Sequence, residues 1–154
     1  MGESRGSLRR RIGSWVAAVL WAAWIFFAST QGFGSGHTSH FIIPFLHWLL
    51  PFASPATLDA LHLAIRKSAH VVEYFILSVL LWHAIRGEGR QWQFRWALLA
   101  VLIAAAYGAT DEFHQIFVPG RGASVHDVLI DTCGAILAQF VVWLWVRRRQ
   151  QIAR

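Results

Sequence analysis

Four stretches of this chain, at about residues 12–27, 70–85, 94–110 and 127–146, are apolar over lengths that suit a membrane-crossing helix. A helix rises ~1.5 Å per residue and a bilayer core is ~30 Å thick, so roughly 20 apolar residues carry the backbone across with every main-chain hydrogen bond satisfied internally. Only 14% of the 154 residues are charged, against the ~25% usual in soluble domains, and four spans already use about half the chain. The expected fold is therefore all-α: one integral membrane bundle of about four transmembrane helices, with residues 1–154 forming a single membrane domain.

The segments between the spans refine this picture. Residues 32–39 are expected to be a loop. Residues 41–52 are apolar but short, and Pro44 and Pro51 bound them, so this stretch is expected to be interfacial or re-entrant in the first outer loop. From Asp59 the spacing is helical and runs without a breaker into the second span. Gly87 and Gly89 mark a tight connection, and the polar segment from Asp111 to Asp127 separates the last two spans. The basic start followed by an apolar run also fits a signal peptide, but Ala28-Ser29-Thr30 is a poor cleavage site.

Charge gives the orientation. With the N terminus inside, Arg5, Arg9, Arg10, Arg11, Arg86, Arg90, Arg95, Arg147, Arg148, Arg149 and Arg154 all fall on the inner side. Only Arg66, Lys67 and Arg121 fall outside, which accounts for all 14 cationic residues. The positive-inside rule then predicts a multi-pass membrane protein with both termini cytoplasmic. Six tryptophans (Trp15, Trp82, Trp92, Trp96, Trp143 and Trp145) lie near the same inner ends, where indoles favour the headgroup layer. The net charge of +6 is clustered beside apolar runs, which excludes a nucleic-acid surface. The partners expected at this stage are membrane lipids.

The other ionisable residues gather at the outer ends of the helices: Lys67, His70 and Glu73; Asp111, Glu112 and His114; Arg121, Asp127 and Asp131. A charge at that depth costs several kcal/mol, on the order of 3, unless it is paired or hydrated, which makes the set a candidate site. At ~100° per residue, Lys67, His70 and Tyr74 share one helical face, and Ser124, Asp127, Asp131, Gly134 and Ala138 share another. Gly134 and Ala138 form a small-xxx-small step that lets a neighbouring backbone come close. If the third span continues past Thr110, then Tyr107, Asp111, His114 and Gln115 fall along one side.

Several residues have plainer readings. Arg66 is expected to snorkel to lipid phosphates, and Glu73 to pair with Lys67 or Arg121. Asp127 suits the first turn of a helix. His37, His40, His47 and His62 match no closed zinc pattern and are expected to be surface residues, so no metal site is assigned. Cys133, the only cysteine, is expected to be a small packing residue.

The ordered set Lys67-x-x-His70-x-x-x-Tyr74, then Asp111-Glu112-x-His114-Gln115, Phe117, Pro119-Gly120-Arg121, Ser124, Asp127 and Gly134 resembles the VanZ-like family of bacterial membrane proteins, over about residues 67–138. The chain departs from the family pattern at Asp131, where Asn is expected, and at Ala138, where a second Gly is common. The resemblance implies a link to the cell envelope and to resistance to the glycopeptide teicoplanin, with an envelope lipid, phosphate or glycopeptide as ligand. It names no cofactor.

Two readings remain open at this stage. In the binding reading, Lys67, Tyr74, Gln115, Arg121 and Ser124 recognise the ligand without any reaction. In the enzymatic reading, the protein is an intramembrane hydrolase or transferase. His70 would then be the base or nucleophile, and Asp111, Glu112 and Asp127 would orient it or hold a divalent cation.

Overall fold

A computed structural model describes residues 2–30, 35–89, 91–118 and 122–152, and all regular structure among them is helical. The order is α1 (Gly2–Ala28), α2 (Ser35–Leu49), α3 (Pro55–Arg86), α4 (Phe94–Gln115) and α5 (Val125–Ile152). Four of these are long and apolar enough to cross a membrane, over Gly6–Ala28, Pro55–Arg86, Phe94–Gln115 and Val125–Ile152. The protein is thus an all-α membrane bundle with one short extra helix in its first connection.

That short helix differs from expectation at both of its marks. It opens at Ser35, inside the stretch read as a loop, and it runs through Pro44 instead of stopping there. Pro44 lacks the N–H that would bond to the carbonyl four residues back, which a helix in contact with water can tolerate. One side of α2 rests on α3, where Thr38 Oγ1 and His62 Nε2 are 3.1 Å apart. Phe41 and Trp48 on α2 are 79% and 75% exposed, an apolar face suited to the bilayer interface.

Helix α3 begins with Ser54, whose side chain accepts from Thr57 N, followed by Pro55 in the first turn. It ends at Gly87, whose φ of 57° lies in the left-handed region that glycine enters freely. Its 32 residues exceed what a bilayer core needs. Counting back from Arg86 at ~1.5 Å per residue, a ~30 Å core ends near Lys67. The same count from Arg147 along α5 ends near Asp127. Lys67 and Asp127 therefore stand at one depth, on helices that both start at the same end of the bundle and run parallel.

Small residues set the spacing between these helices. Ala100, Ala104, Ala135 and Ala138 are fully buried together with Tyr74 and Trp82. In lipid there is no hydrophobic drive between spans, so close van der Waals approach and interhelical hydrogen bonds hold them together. A Cβ on Gly134 would lie 2.5 Å from the Val71 carbonyl oxygen, so α5 meets the backbone of α3 there. Two further bonds tie α1 on: Trp21 Nε1 donates to Glu73 O at 2.9 Å, and Tyr107 Oη donates to Ala22 O at 2.6 Å.

Trp82 is a core residue and not part of an interfacial belt; it is fully buried, with the Arg86 guanidinium 4.4 Å from its ring centre. Cys133 is exposed on α5 and packs against nothing in the core, because it sits about 200° around the helix from Asp131. His62 is 7% exposed, held under α2 rather than lying on the surface.

Candidate functional site

Helices α3 and α5 face each other through a ladder of polar pairs that descends from the end of the bundle opposite the chain termini. On its top rung, Lys67 Nζ forms an ion pair with Asp127 Oδ1, both side chains partly open to solvent. One turn deeper, His70 Nδ1 lies 3.2 Å from Asp131 Oδ1, and the Asp131 side chain is only 1% exposed. At mid-span Ser78 Oγ donates to the Ala135 carbonyl at 3.0 Å, while Gln139 Nε2 donates to Ser78 O and Ser78 Oγ at 3.0 and 2.8 Å. The sequence offset between partners stays near 60 residues, as parallel helices in register require.

Helix α4 closes the third side. Gly108 leaves room for two groups at once: a Cβ there would lie 3.2 Å from Asp131 Oδ2 and 3.3 Å from the Tyr74 ring. The last turn of α4 carries a second network. Asp111 Oδ2 accepts from Ser29 Oγ at 2.6 Å and from Gln115 Nε2 at 3.1 Å, and Gln115 also donates to Glu112 Oε1 at 3.2 Å. Glu112 Oε2 accepts the backbone N–H of Ser124 at 2.8 Å. These bonds lash the end of α1, the end of α4 and the start of α5 into one rim.

The residues singled out from sequence thus fall into two linked groups. Lys67, His70, Tyr74 and Asp127 line the α3–α5 ladder, and Asp111, Glu112 and Gln115 form the rim. Ser124 joins through its backbone N–H, not its side chain, and Asp127 lies in the first turn of α5. Lys67, one of the two cations expected to pair with Glu73, takes Asp127 as its partner. Pro119, Gly120 and Arg121 lie outside the described residues.

Three participants were given no role at the site. Asp131 was placed in the outer-end set and on the face of Asp127, and noted as a departure from a family pattern, yet it is the carboxylate that meets His70. Ser29, read as part of a poor cleavage site, binds Asp111 across 82 positions. Gly108 is an unremarkable glycine in an apolar run until the helices are packed.

Four buried polar atoms of this region have no hydrogen-bond partner among the described residues: Tyr74 Oη, Asp111 Oδ1, His114 Nδ1 and Asp131 Oδ2. A buried group left unmatched costs about 1–3 kcal/mol. Tyr74 and Asp131 Oδ2 both border the space beside Gly108, so these two give the ladder bonding capacity to spare, while the His114 ring lies against Phe26, with ring centres 4.7 Å apart. With the proton on His70 Nδ1 facing Asp131, Nε2 is the imidazole's acceptor, the arrangement by which a carboxylate orients a histidine base. Among the described residues no group of three or more His, Cys, Asp or Glu side chains is arranged to hold a metal ion.

A family model described as VanZ/LLP1 matches residues 14–146, which extends well beyond the motif region into α1 and α2. Neither the curated proteins nor the solved structures include a match to the chain.

Proposed function

The chain belongs to the VanZ/LLP1 family, and we propose that it is an envelope protein of the bacterial cytoplasmic membrane that binds an anionic envelope ligand at its outer face and so alters sensitivity to teicoplanin. Both termini are cytoplasmic in this reading, on the strength of the arginine asymmetry. The ligand is the phosphate or carboxylate of an envelope lipid or a glycopeptide.

The observation that carries the reading is the stacking of Lys67–Asp127 directly above His70–Asp131 at the non-terminal end of the bundle. A cation and an imidazole presented one turn apart suit an anionic group entering from the headgroup layer. Arg121, three residues before the pinned Ser124, supplies the guanidinium fork that grips such a group in two places.

The test compares teicoplanin growth inhibition in a susceptible bacterium expressing the wild type, Arg121→Ala or Lys67→Ala at matched membrane abundance. Protection by the wild type that falls with either variant supports the reading. Equal inhibition with and without the wild type refutes it.

One observation favours a second reading, that of an intramembrane hydrolase or transferase: His70 Nδ1 faces the buried Asp131 carboxylate, which leaves Nε2 as the acceptor in the tautomer that carries its proton on Nδ1. In that case His70→Gln, which keeps a hydrogen-bonding side chain but cannot serve as a base, abolishes function as completely as His70→Ala. In the binding reading His70→Gln retains it.

A further inference from the structure

At the opposite end of the bundle, where both chain termini lie, a second feature stands apart from the outer cluster. The start of α1 and the end of α3 enclose an open cavity of about 860 Å³ lined by Ser7, Arg10, Arg11, Ser14, Arg86 and Glu88. Leu8 and Arg11 also line a second hollow, of about 470 Å³, that continues down α1 over Ile12, Trp15, Val16, Val19 and Leu20. The two hollows therefore share a wall. One is polar and cationic, and the other is almost wholly apolar.

We propose that this pair of hollows is a binding site for one anionic phospholipid, with the headgroup phosphate in the arginine-lined cavity and an acyl chain along the α1 groove. Charge complementarity supports that occupant. Among the described residues three guanidiniums line the cavity against the carboxylate of Glu88. The Arg10–Glu88 contact is long, at 3.4 Å, and both side chains are largely exposed, so it is a weak pair that a phosphate can replace.

Arg86 is fixed in place before any ligand arrives. Its guanidinium donates to Gly89 O at 2.9 Å, shares a 3.2 Å contact with His83 Nδ1 and lies over the Trp82 ring. The depth is also right: the arginines stand where the apolar run of α1 begins, and Trp15 faces the groove just beyond them, as at a headgroup boundary. The groove is what separates a lipid from free phosphate, since Val16, Val19 and Leu20 are 49%, 63% and 65% exposed and offer surface only to a chain. Basic pockets between spans at the cytoplasmic face are the usual seat of anionic headgroups.

The test is native mass spectrometry of the purified full-length protein, equilibrated with phosphatidylglycerol, phosphatidylcholine or inorganic phosphate. Wild type should retain phosphatidylglycerol in preference to the other two. Arg10→Gln with Arg11→Gln should weaken that retention about 30-fold, from about fivefold for each basic residue near a headgroup. Val19→Asn, which leaves every arginine in place, should weaken it severalfold by spoiling the groove.

Retention unchanged in the double arginine variant, or equal retention of phosphatidylcholine, overturns the proposal. So does inorganic phosphate binding as tightly as the lipid, because the groove would then contribute nothing. The outer-face residues are untouched by these changes, so the outcome is independent of the teicoplanin experiment.

Discussion

Gly134→Ala tests the architecture of the site with the smallest possible change. The added methyl would sit 2.5 Å from Val71 O and 3.1 Å from Val71 Cα, where carbon–oxygen contacts normally begin at about 3.3 Å. Both obstacles are backbone, so no rotamer change relieves them and α3 and α5 must part by close to 1 Å. Overpacking of this kind costs about 1–3 kcal/mol, offset by up to ~1 kcal/mol from replacing a helical glycine with alanine. The expected net loss is therefore about 1–2 kcal/mol.

The same shift reaches the chemistry. Val71 adjoins His70, and Gly134 is one turn from Asp131, so a ~1 Å opening lengthens the 3.2 Å His70–Asp131 contact beyond hydrogen-bonding range. Denaturant titration of the purified protein in mild-detergent micelles, followed by circular dichroism, measures the stability. Gly13→Ala on α1, with nothing within 4 Å of the added carbon, is the matched control and should be neutral or slightly stabilising. If Gly134→Ala is as stable as Gly13→Ala, the close approach of α3 and α5 is wrong and with it the register of the ladder.

Other perturbations read individual rungs. Ser78→Ala deletes the donor to Ala135 O and one acceptor of Gln139, and should cost about 0.6–1.7 kcal/mol by the same titration, the range for interhelical side-chain bonds in membranes. A double-mutant cycle of Lys67→Met and Asp127→Asn should give a coupling of about 0.2–1 kcal/mol that shrinks in added salt, as befits a partly solvated pair. Cys133 should resist a charged maleimide in sealed vesicles yet react once detergent replaces lipid; no reaction in detergent would mean the thiol is packed inside the bundle.

The spans and their ends were legible from sequence because the cost of placing a residue in lipid is set by that residue and its near neighbours. The helical faces were legible for the same reason. Lys67, His70 and Tyr74 recur at the helical repeat, as do Asp127, Asp131 and Gly134. What periodicity does not carry is the partner across the gap. That Lys67 meets Asp127 follows from the offset between α3 and α5, which the Gly134–Val71 contact sets, whereas Glu73 lies six residues along the same helix and about 120° around it from Lys67. Ser29 and Gly108 have no local signature at all, since each matters only through a residue far away in sequence. Helix α2 was obscured by its own composition: Gly, Ser and His at its start read as a loop until its contact with α3 holds it in a helix.

The rim network changes how losses of function at this site are to be read. Asp111 and Glu112 both invite a catalytic assignment, yet each already has structural work. Asp111 accepts from Ser29 and Gln115, and Glu112 accepts from Gln115 and from the Ser124 N–H that precedes α5. Removing either carboxylate releases buried donors and loosens the junction of three helices, at about 1–3 kcal/mol for each unmatched group. Inactivity of Asp111→Ala or Glu112→Ala is therefore expected in the binding and the enzymatic readings alike and decides between neither. His70 differs because its bond to Asp131 engages only Nδ1, so a glutamine there can keep the hydrogen bond while abolishing proton transfer through Nε2. The choice between a recognition site and a reaction centre rests on that one ring nitrogen.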